Sequence, residues 1–133
     1  MIPTILVIED NPMNLELVRD VLITAGMKVV DAPNGQEGLK AASQLQPDLI
    51  LLDIRLPGLD GFAVLERLRS APATASIPVA ALTAQAMVGD RDQAMAAGFN
   101  AYIPKPIDTR TLADQVWALL GTDYPRRSSG AGS

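Results

Sequence analysis

The stretch Leu49 to Gly61, LILLDIRLPGLDG, decides the fold of this 133-residue chain. Its first four residues are all apolar, which is typical of a strand that is buried on both faces of a parallel sheet. The run ends on the carboxylate of Asp53, and Pro57 and Gly58 then indicate a turn. An apolar strand gains no stability by ending on a charge. We therefore interpret this strand as a rigid support for Asp53.

Apolar runs of similar length recur on both sides of this stretch. Five such runs alternate with five helix-like segments, and this alternation predicts an α/β fold in which helices cover both faces of a parallel sheet. The predicted strands are Thr4 to Ile8, Lys28 to Asp31, Leu49 to Leu52, Val79 to Leu82 and Ala101 to Ile103.

Capping residues mark the beginnings of the first three predicted helices. Asn11 followed by Pro12 is typical of a helix start, because the proline lacks an N–H group that would be unpaired there anyway. Asn34 with Glu37 three residues later resembles a capping box, and Asp60 is placed to cap the third helix.

The last two helices are predicted from about Ala86 to Ala97 and from near Asp108 to Gly121. Trp117 lies off the apolar stripe of the fifth helix, which leaves two alternatives: partial exposure at the partner-binding surface or a place at the periphery of the core. The residues after Gly121 are mostly small and polar, so they bury too little apolar surface to offset the conformational entropy that is lost when a chain is ordered. We therefore predict one folded domain over residues 1–121 and a flexible tail over residues 122–133.

The composition narrows the possible chemistry and location. Hydrophobic residues make up 48% and charged residues 20% of the chain, as in a soluble globular domain. The absence of Cys and His excludes disulfides, thiolate or imidazole metal sites and Ser-His-Asp triads. The net charge of −4 argues against nucleic acid as a partner. With neither a secretory signal nor the roughly 20 apolar residues that cross a bilayer, we predict a cytoplasmic protein with no membrane contact.

Functional side chains follow four of the five predicted strands. The first strand ends at Glu9 and Asp10, the third at Asp53 and the fourth at Thr83, and the fifth leads to Lys105. The carboxyl ends of parallel strands lie at one edge of the sheet, so we expect these five side chains to converge.

Three carboxylates held together need counter-charges. Each like-charge pair at about 4 Å costs on the order of 4 kcal/mol at an effective dielectric near 20. Lys105 supplies one positive charge, and Mg²⁺ is the natural second because the available ligands are oxygens. Such a site suits the acceptance of a phosphoryl group, with Asp53 as nucleophile and the Thr83 hydroxyl donating to a phosphoryl oxygen.

Four motifs in order, ILVIEDN, DLILLDIRLPGLDG, VAALTA and AYIPKPI, give the chain a specific likeness. From Thr4 to Leu120 it resembles a response-regulator receiver domain, the phosphoacceptor module of bacterial two-component signalling. The resemblance implies a flavodoxin-like, doubly wound, five-stranded parallel sheet in the order 2-1-3-4-5.

The resemblance also implies roles at the acidic site. Asp53 is similar to the phosphorylated aspartate, Asp10 to the direct Mg²⁺ ligand, and Glu9 to its partner that acts partly through water. Arg55 would contribute its backbone carbonyl to the metal. Arg55 also puts a long cation at the mouth of the site, and Gln85 is an amide where familiar relatives are acidic, so the phosphorylated lifetime stays open.

A second set of implied roles concerns the response to phosphorylation. Thr83 resembles the switch hydroxyl that moves toward the phosphate, and Tyr102 the aromatic residue that moves inward with it. Lys105 resembles the lysine that pairs with the phosphate, and the family's bond between it and Pro106 is cis. The segment Ala84 to Ala97, Tyr102 and the fifth helix would form the surface that binds a downstream partner.

A face beside the acidic site is expected to bind the phosphodonor. In the family this face docks the helical bundle of a histidine kinase or phosphotransfer protein, and here it comprises Asn14, Leu17, Val21, Pro106 and Ile107. Substitution of Leu17 and Asn14 is expected to slow transfer from the protein donor and to leave phosphorylation by a small molecule intact.

The sequence therefore predicts a stand-alone response regulator that is not an enzyme with a separate substrate and that signals by phosphorylation-dependent protein contact. One alternative is a phosphorelay intermediate that passes the phosphate onward. Another is a Mg²⁺-dependent phosphohydrolase with an aspartyl nucleophile, although such enzymes usually carry an acid at the position of Arg55. A third is a binding module that has kept the fold without phosphorylation, although such a module would be expected to lack some of the five site residues.

Overall fold

The computed structural model describes residues 2–56, 58–83 and 89–121. Strands and helices alternate along the whole of this part of the chain, as the sequence predicts. The strands are β1 (Thr4–Ile8), β2 (Lys28–Ala32), β3 (Leu49–Asp53), β4 (Val79–Thr83) and β5 (Ala101–Pro104). The helices are α1 (Pro12–Thr24), α2 (Gly35–Leu45), α3 (Gly61–Ser70), α4 (Asp90–Ala97) and α5 (Leu112–Leu120).

The five strands form one parallel sheet in the order β2-β1-β3-β4-β5, which confirms the predicted α/β fold and strand order. β3 lies at the centre, with Ile5 opposite Leu49 on one side and Asp53 opposite Leu82 on the other. Every residue of β3 and β4 is buried. The strand that carries Asp53 is therefore held on both edges and both faces.

Alternation of side chains along the strands creates two separate apolar cores. Ile5, Leu49 and Leu51 point to the core covered by α1 and α5, whereas Leu6 and Ile50 point to the core covered by α2 and α3. Both cores are needed because a parallel sheet is apolar on both faces. Helices on each side therefore fix the position of the sheet edge at which the polar side chains lie.

The predicted helix caps are confirmed for the first three helices. The side chain of Asn11 accepts hydrogen bonds from Met13 N and Asn14 N, that of Asn34 from Glu37 N, and that of Asp60 from Ala63 N. Each cap satisfies backbone donors that have no partner inside the helix.

The starts of the last two helices differ from the prediction or lie outside the described residues. The predicted start of the fourth helix at Ala86 falls among residues 84–88, which are not described, as does the tail from residue 122. The predicted start of the fifth helix near Asp108 is wrong, because α5 begins at Leu112. The Asp108 carboxylate instead accepts a hydrogen bond from Arg110 N and closes a short turn before the helix.

Two side chains that were candidates for surface contacts are in the core. Trp117 is 6% exposed and Ile107 is 8% exposed, and both belong to the core between the sheet, α1 and α5. The buried face of α5 is wider than the sequence stripe suggests because α1 also packs against this helix. Of the two alternatives for Trp117, the core is therefore the one observed, and the Ile107 side chain, expected on the docking face, packs against the protein interior.

None of the helices within the described ranges is both long enough and apolar enough to cross a bilayer.

Candidate functional site

The carboxyl edge of the sheet places the predicted site residues at the ends of strands. Asp53 and Thr83 are the last residues of β3 and β4, Glu9 follows β1 directly, and Lys105 follows β5. The polar residues Glu9, Asp53 and Thr83 are all buried. Burial of the two carboxylates, Glu9 and Asp53, is unusual unless they are paired with a positive charge. The convergence of Glu9, Asp53 and Lys105 at one edge follows from the parallel topology and is observed directly in their contacts.

Lys105 is the centre of this cluster. Its Nζ donates hydrogen bonds to both carboxylate oxygens of Glu9, at 2.9 Å to Oε1 and 2.8 Å to Oε2. The same Nζ lies 2.9 Å from Asp53 Oδ2. One cation is thus shared by two buried carboxylates, which leaves the pair with one unbalanced negative charge.

The protonation of these groups reflects both burial and pairing. Burial raises the pKa of Glu9, the hydrogen bond from Lys105 opposes this rise, and neighbouring Asp53 adds to it. Burial alone would lower the pKa of Lys105, but its hydrogen bonds to Glu9 and Asp53 outweigh that effect and raise the pKa. The two carboxylates therefore stabilise the protonated, positively charged form of Lys105.

A third carboxylate extends the cluster toward solvent. Glu9, Asp10 and Asp53 each offer an oxygen, and these oxygens all lie within 4.8 Å of one another, with Asp10 exposed. Three carboxylates at this spacing suit a hard divalent cation such as Mg²⁺, which prefers oxygen ligands and retains several waters. The donor set therefore fits the predicted metal.

The backbone around Asp53 is fixed by close contacts. Arg55 N donates to Asp53 Oδ1 at 2.9 Å, and Ile54 N donates to Leu82 O at 3.0 Å. Gly61 N donates to Ile54 O at 2.9 Å, and a Cβ atom on Gly61 would lie 2.6 Å from the carbonyl oxygen of Asp53. Only a glycine allows α3 to approach the backbone of Asp53 this closely. The backbone carbonyl of Arg55 as a metal ligand stays a prediction.

The two predicted switch residues lie on neighbouring strands. Lys105 N donates to the Thr83 backbone oxygen at 2.7 Å, so the backbones of Thr83 and Lys105 are joined directly. Tyr102 is half-buried and packs against the core under α2 and α3. The bond between Lys105 and Pro106 is cis, as the resemblance implied.

The predicted docking residues have different environments. Leu17 is 38% exposed, Val21 is half-buried and Pro106 is exposed, whereas Ile107 is in the core. Asn14 has a contact that the sequence reasoning missed: its Nδ2 donates to Glu9 Oε1 at 3.3 Å. The sequence does contain a signal for this contact, because a polar residue in the first turn of a helix that starts right after the site strand can reach back to that strand.

Comparisons with known proteins agree with this geometry. The chain matches the family model of the response regulator receiver domain over residues 5–117. It is 45% identical over 118 residues to the DNA-binding dual master transcriptional regulator RpaA of Synechocystis sp., covering 89% of this chain and 49% of that protein. It is 37% identical to the polar-differentiation response regulator DivK of Brucella anthropi, covering 89% of this chain and 96% of that protein. The chain thus spans about half the length of the first relative and nearly all of the second.

A solved structure with a similar fold carries a metal. The receiver domain of the sensor histidine kinase PA1611 from Pseudomonas aeruginosa, with a magnesium ion coordinated in its active-site cleft, has a TM-score of 0.83 to this structure. The two are 33% identical, and the match covers 92% of this chain and 100% of that domain.

Proposed function

This chain belongs to the response regulator receiver domain family, and from that premise we propose that it accepts a phosphoryl group from phosphohistidine on Asp53. The observation that carries the proposal is the buried carboxylate of Asp53, which lies at the end of a rigid central strand and 2.9 Å from Lys105 Nζ. Lys105, which Glu9 and Asp53 share, is close enough to Asp53 to neutralise negative charge on a phosphoryl group that is transferred to it.

The transfer forms a bond between an Asp53 carboxylate oxygen and phosphorus and breaks the bond between phosphorus and the donor's imidazole nitrogen. The imidazole leaves and takes up a proton, and the product on this chain is an acyl phosphate. Lys105 neutralises charge on the phosphoryl oxygens, while Arg55 N–H restrains Asp53 Oδ1 at 2.9 Å. The Thr83 hydroxyl donates to a phosphoryl oxygen.

Glu9, Asp10 and Asp53 would hold Mg²⁺ together with the backbone carbonyl of Arg55. Support comes from the oxygens of the three carboxylates, which lie within 4.8 Å of one another, and from the magnesium ion in the Pseudomonas relative. When bound, the ion neutralises negative charge on the group in transfer. The direct ligand would be Asp10, which is the exposed member of the three.

The output is proposed to be a change in protein contacts. A phosphoryl group on Asp53 acts by favouring one of two conformations, and the residues that distinguish them are Thr83 and Tyr102. The downstream partner would bind the surface of residues 84–97, Tyr102 and α5, of which residues 89–97, Tyr102 and α5 are described. Met95 is 41% exposed on this surface and offers an apolar contact.

The donor would be a histidine kinase or a phosphotransfer protein that docks on Leu17, Val21, Asn14 and Pro106. Leu17 and Pro106 are exposed, and Pro106 follows Lys105 directly, which supports their role in that contact. The backbone of Ile107 belongs to the same loop, while its side chain anchors the loop in the core. We further propose that residues 1–121 act as the receiver domain of a cytoplasmic regulator.

The test is incubation with Mg²⁺ and acetyl phosphate followed by intact mass measurement. We expect the addition of one phosphoryl group to the wild-type chain and none to Asp53→Asn, which keeps the size of the side chain but removes the nucleophile. Omission of Mg²⁺ should strongly reduce the adduct. An adduct of equal yield on Asp53→Asn, or none on the wild type, would overturn the proposal.

A further inference from the structure

Asn14 makes two kinds of contact at the start of α1. Its backbone N–H is held by the cap, at 3.2 Å from Asn11 Oδ1. Its side-chain Nδ2 turns away from the helix and donates to Glu9 Oε1 at 3.3 Å. Its neighbour Met13 is 80% exposed, so adjacent residues of one turn face different surroundings.

The hydrogen bonds on Glu9 show what this contact does. Oε1 accepts from Lys105 Nζ and Asn14 Nδ2, and Oε2 accepts from Lys105 Nζ alone among the bonds found in the described ranges. A carboxylate oxygen accepts about two hydrogen bonds, so Oε2 keeps capacity for a cation or a water bound to it. The amide thus holds one oxygen and leaves the other available.

The two donors on Glu9 differ in their dependence on Asp53. Lys105 is shared with Asp53 Oδ2 at 2.9 Å, so any added negative charge on Asp53 draws it away from Glu9. Asn14 lies on α1, and its backbone N–H is held by the Asn11 cap, so its contact with Glu9 does not depend on Asp53. The amide is therefore the donor that stays on Glu9 when the lysine changes partner.

We propose that Asn14 is a positioning residue that orients the Glu9 carboxylate toward Mg²⁺. This inference rests on the proposed function and changes one of its expectations. Asn14 was predicted to contact only the protein donor, so that its loss would leave phosphorylation by a small molecule intact. The contact with Glu9 makes that phosphorylation depend on Asn14 as well, through the metal.

The experiment compares Asn14→Leu and Asn14→Ala with Met13→Ala, a matched control on the same turn whose side chain faces solvent. Calorimetric titration of the unphosphorylated proteins with Mg²⁺ should give a dissociation constant about 10-fold higher for both Asn14 variants, as for other residues that orient a metal ligand. Met13→Ala should match the wild type. Phosphorylation by acetyl phosphate should slow in the Asn14 variants at low Mg²⁺ and recover at saturating Mg²⁺.

The outcomes separate this inference from the proposed function. Wild-type Mg²⁺ affinity in Asn14→Leu and Asn14→Ala, with cooperative unfolding retained, would overturn the positioning role even if Asp53 is phosphorylated normally. Slow phosphorylation that saturating Mg²⁺ does not restore would also overturn it. If the wild type binds Mg²⁺ but gains no phosphoryl group, the proposed function fails, while the affinities of the Asn14 variants still decide the positioning role.

Discussion

One half-buried cation lies at each end of the sheet, and their partners differ. Lys105 at the carboxyl edge contacts two carboxylates, those of Glu9 and Asp53. Arg69 at the amino edge donates to the backbone oxygens of Ala75, Ile77 and Gly98 and to Asn100 Oδ1. The lysine therefore meets negative charge, and the arginine meets neutral oxygens.

The two cations also differ in the direction of their pKa shifts. Burial lowers the pKa of Arg69, whereas the hydrogen bonds of Lys105 to the carboxylates overcome burial and raise its pKa. The several N–H donors of the Arg69 guanidinium bind acceptors in different segments. Arg69 thereby joins the end of α3 to the segments that lead into β4 and β5. Lys105 contributes its charge. The amino edge is thus joined through neutral acceptors, whereas the carboxyl edge holds a cation between two carboxylates.

The largest effect is expected from Arg69→Ala. Loss of the hydrogen bonds to four oxygens should lower the free energy of unfolding by about 3 kcal/mol, while the Mg²⁺ dissociation constant stays unchanged. Urea unfolding and calorimetry measure the two quantities. Arg67→Ala, an exposed position two residues earlier on α3, is the control and should change neither. A shift of the Mg²⁺ affinity by Arg69→Ala would break the division between the two edges.

Gly61→Ala tests how tightly the carboxyl edge is built. The added Cβ would meet the Asp53 carbonyl oxygen at 2.6 Å, so we expect a loss of about 2 kcal/mol in stability. It should also slow phosphorylation by acetyl phosphate at least several-fold, since the Asp53 backbone must move.

Gly35→Ala is the matched control for that variant. Its Cβ would meet Val64 Cγ2 at 2.7 Å and Leu59 O at 2.9 Å, so it is crowded without contact to Asp53. It should lose stability to a similar extent and keep the wild-type phosphorylation rate at temperatures where it is folded. Equal rates in the two variants would show that crowding at Gly61 does not reach the site.

Lys105→Met should change Mg²⁺ binding. The wild-type ammonium and a bound metal ion would compete for the same two carboxylates, so removal of the lysine should tighten Mg²⁺ binding about 10-fold, or about 1.4 kcal/mol. The Mg²⁺-induced rise in unfolding temperature should increase correspondingly. Weaker Mg²⁺ binding in Lys105→Met would mean that the lysine assists the metal instead of competing with it.

The smallest effect concerns alkaline pH. The pKa of Lys105 is raised above 10.5 in the folded protein, so between that value and the folded pKa the folded state binds more protons than the unfolded state. The contribution of Lys105 to stability is therefore fully present below this window and is lost as the pH rises through it.

Urea unfolding of the wild type and Lys105→Met from about pH 9 to about pH 11.5 isolates this contribution. The difference in unfolding free energy between the two should change in favour of the variant as the pH rises. A difference that is constant with pH would contradict the charge-based role of Lys105.

The sequence predicted most of the carboxyl edge because strand ends in a parallel sheet meet by topology. Glu9, Asp53 and Lys105 lie at the ends of different strands, yet the apolar runs before them locate all three, and the contact between Glu9 and Lys105 spans 96 residues. The strand order followed from the resemblance. The continuous apolar run was enough for the placement of β3.

The remaining features depend on contacts that a local pattern does not contain. Trp117 is buried because α1 packs against α5 and covers a wider part of its surface than the apolar stripe. The α5 helix begins later than expected because Asp108 closes a turn before it. The contacts of Arg69 were not predicted, since its four acceptors come from segments up to 31 residues away. Asn14 was assigned to a partner face because its contact with Glu9 depends on how α1 leaves β1.

The most direct test of the central claim is the location and chemical type of the phosphoryl group. Wild-type chain phosphorylated with acetyl phosphate and Mg²⁺ would be treated with hydroxylamine and mapped by peptide mass spectrometry. An acyl phosphate on Asp53 predicts loss of the phosphoryl group and a hydroxamate at that residue. A phosphoryl group that survives hydroxylamine and maps to a hydroxyl side chain such as Thr83 would contradict the account.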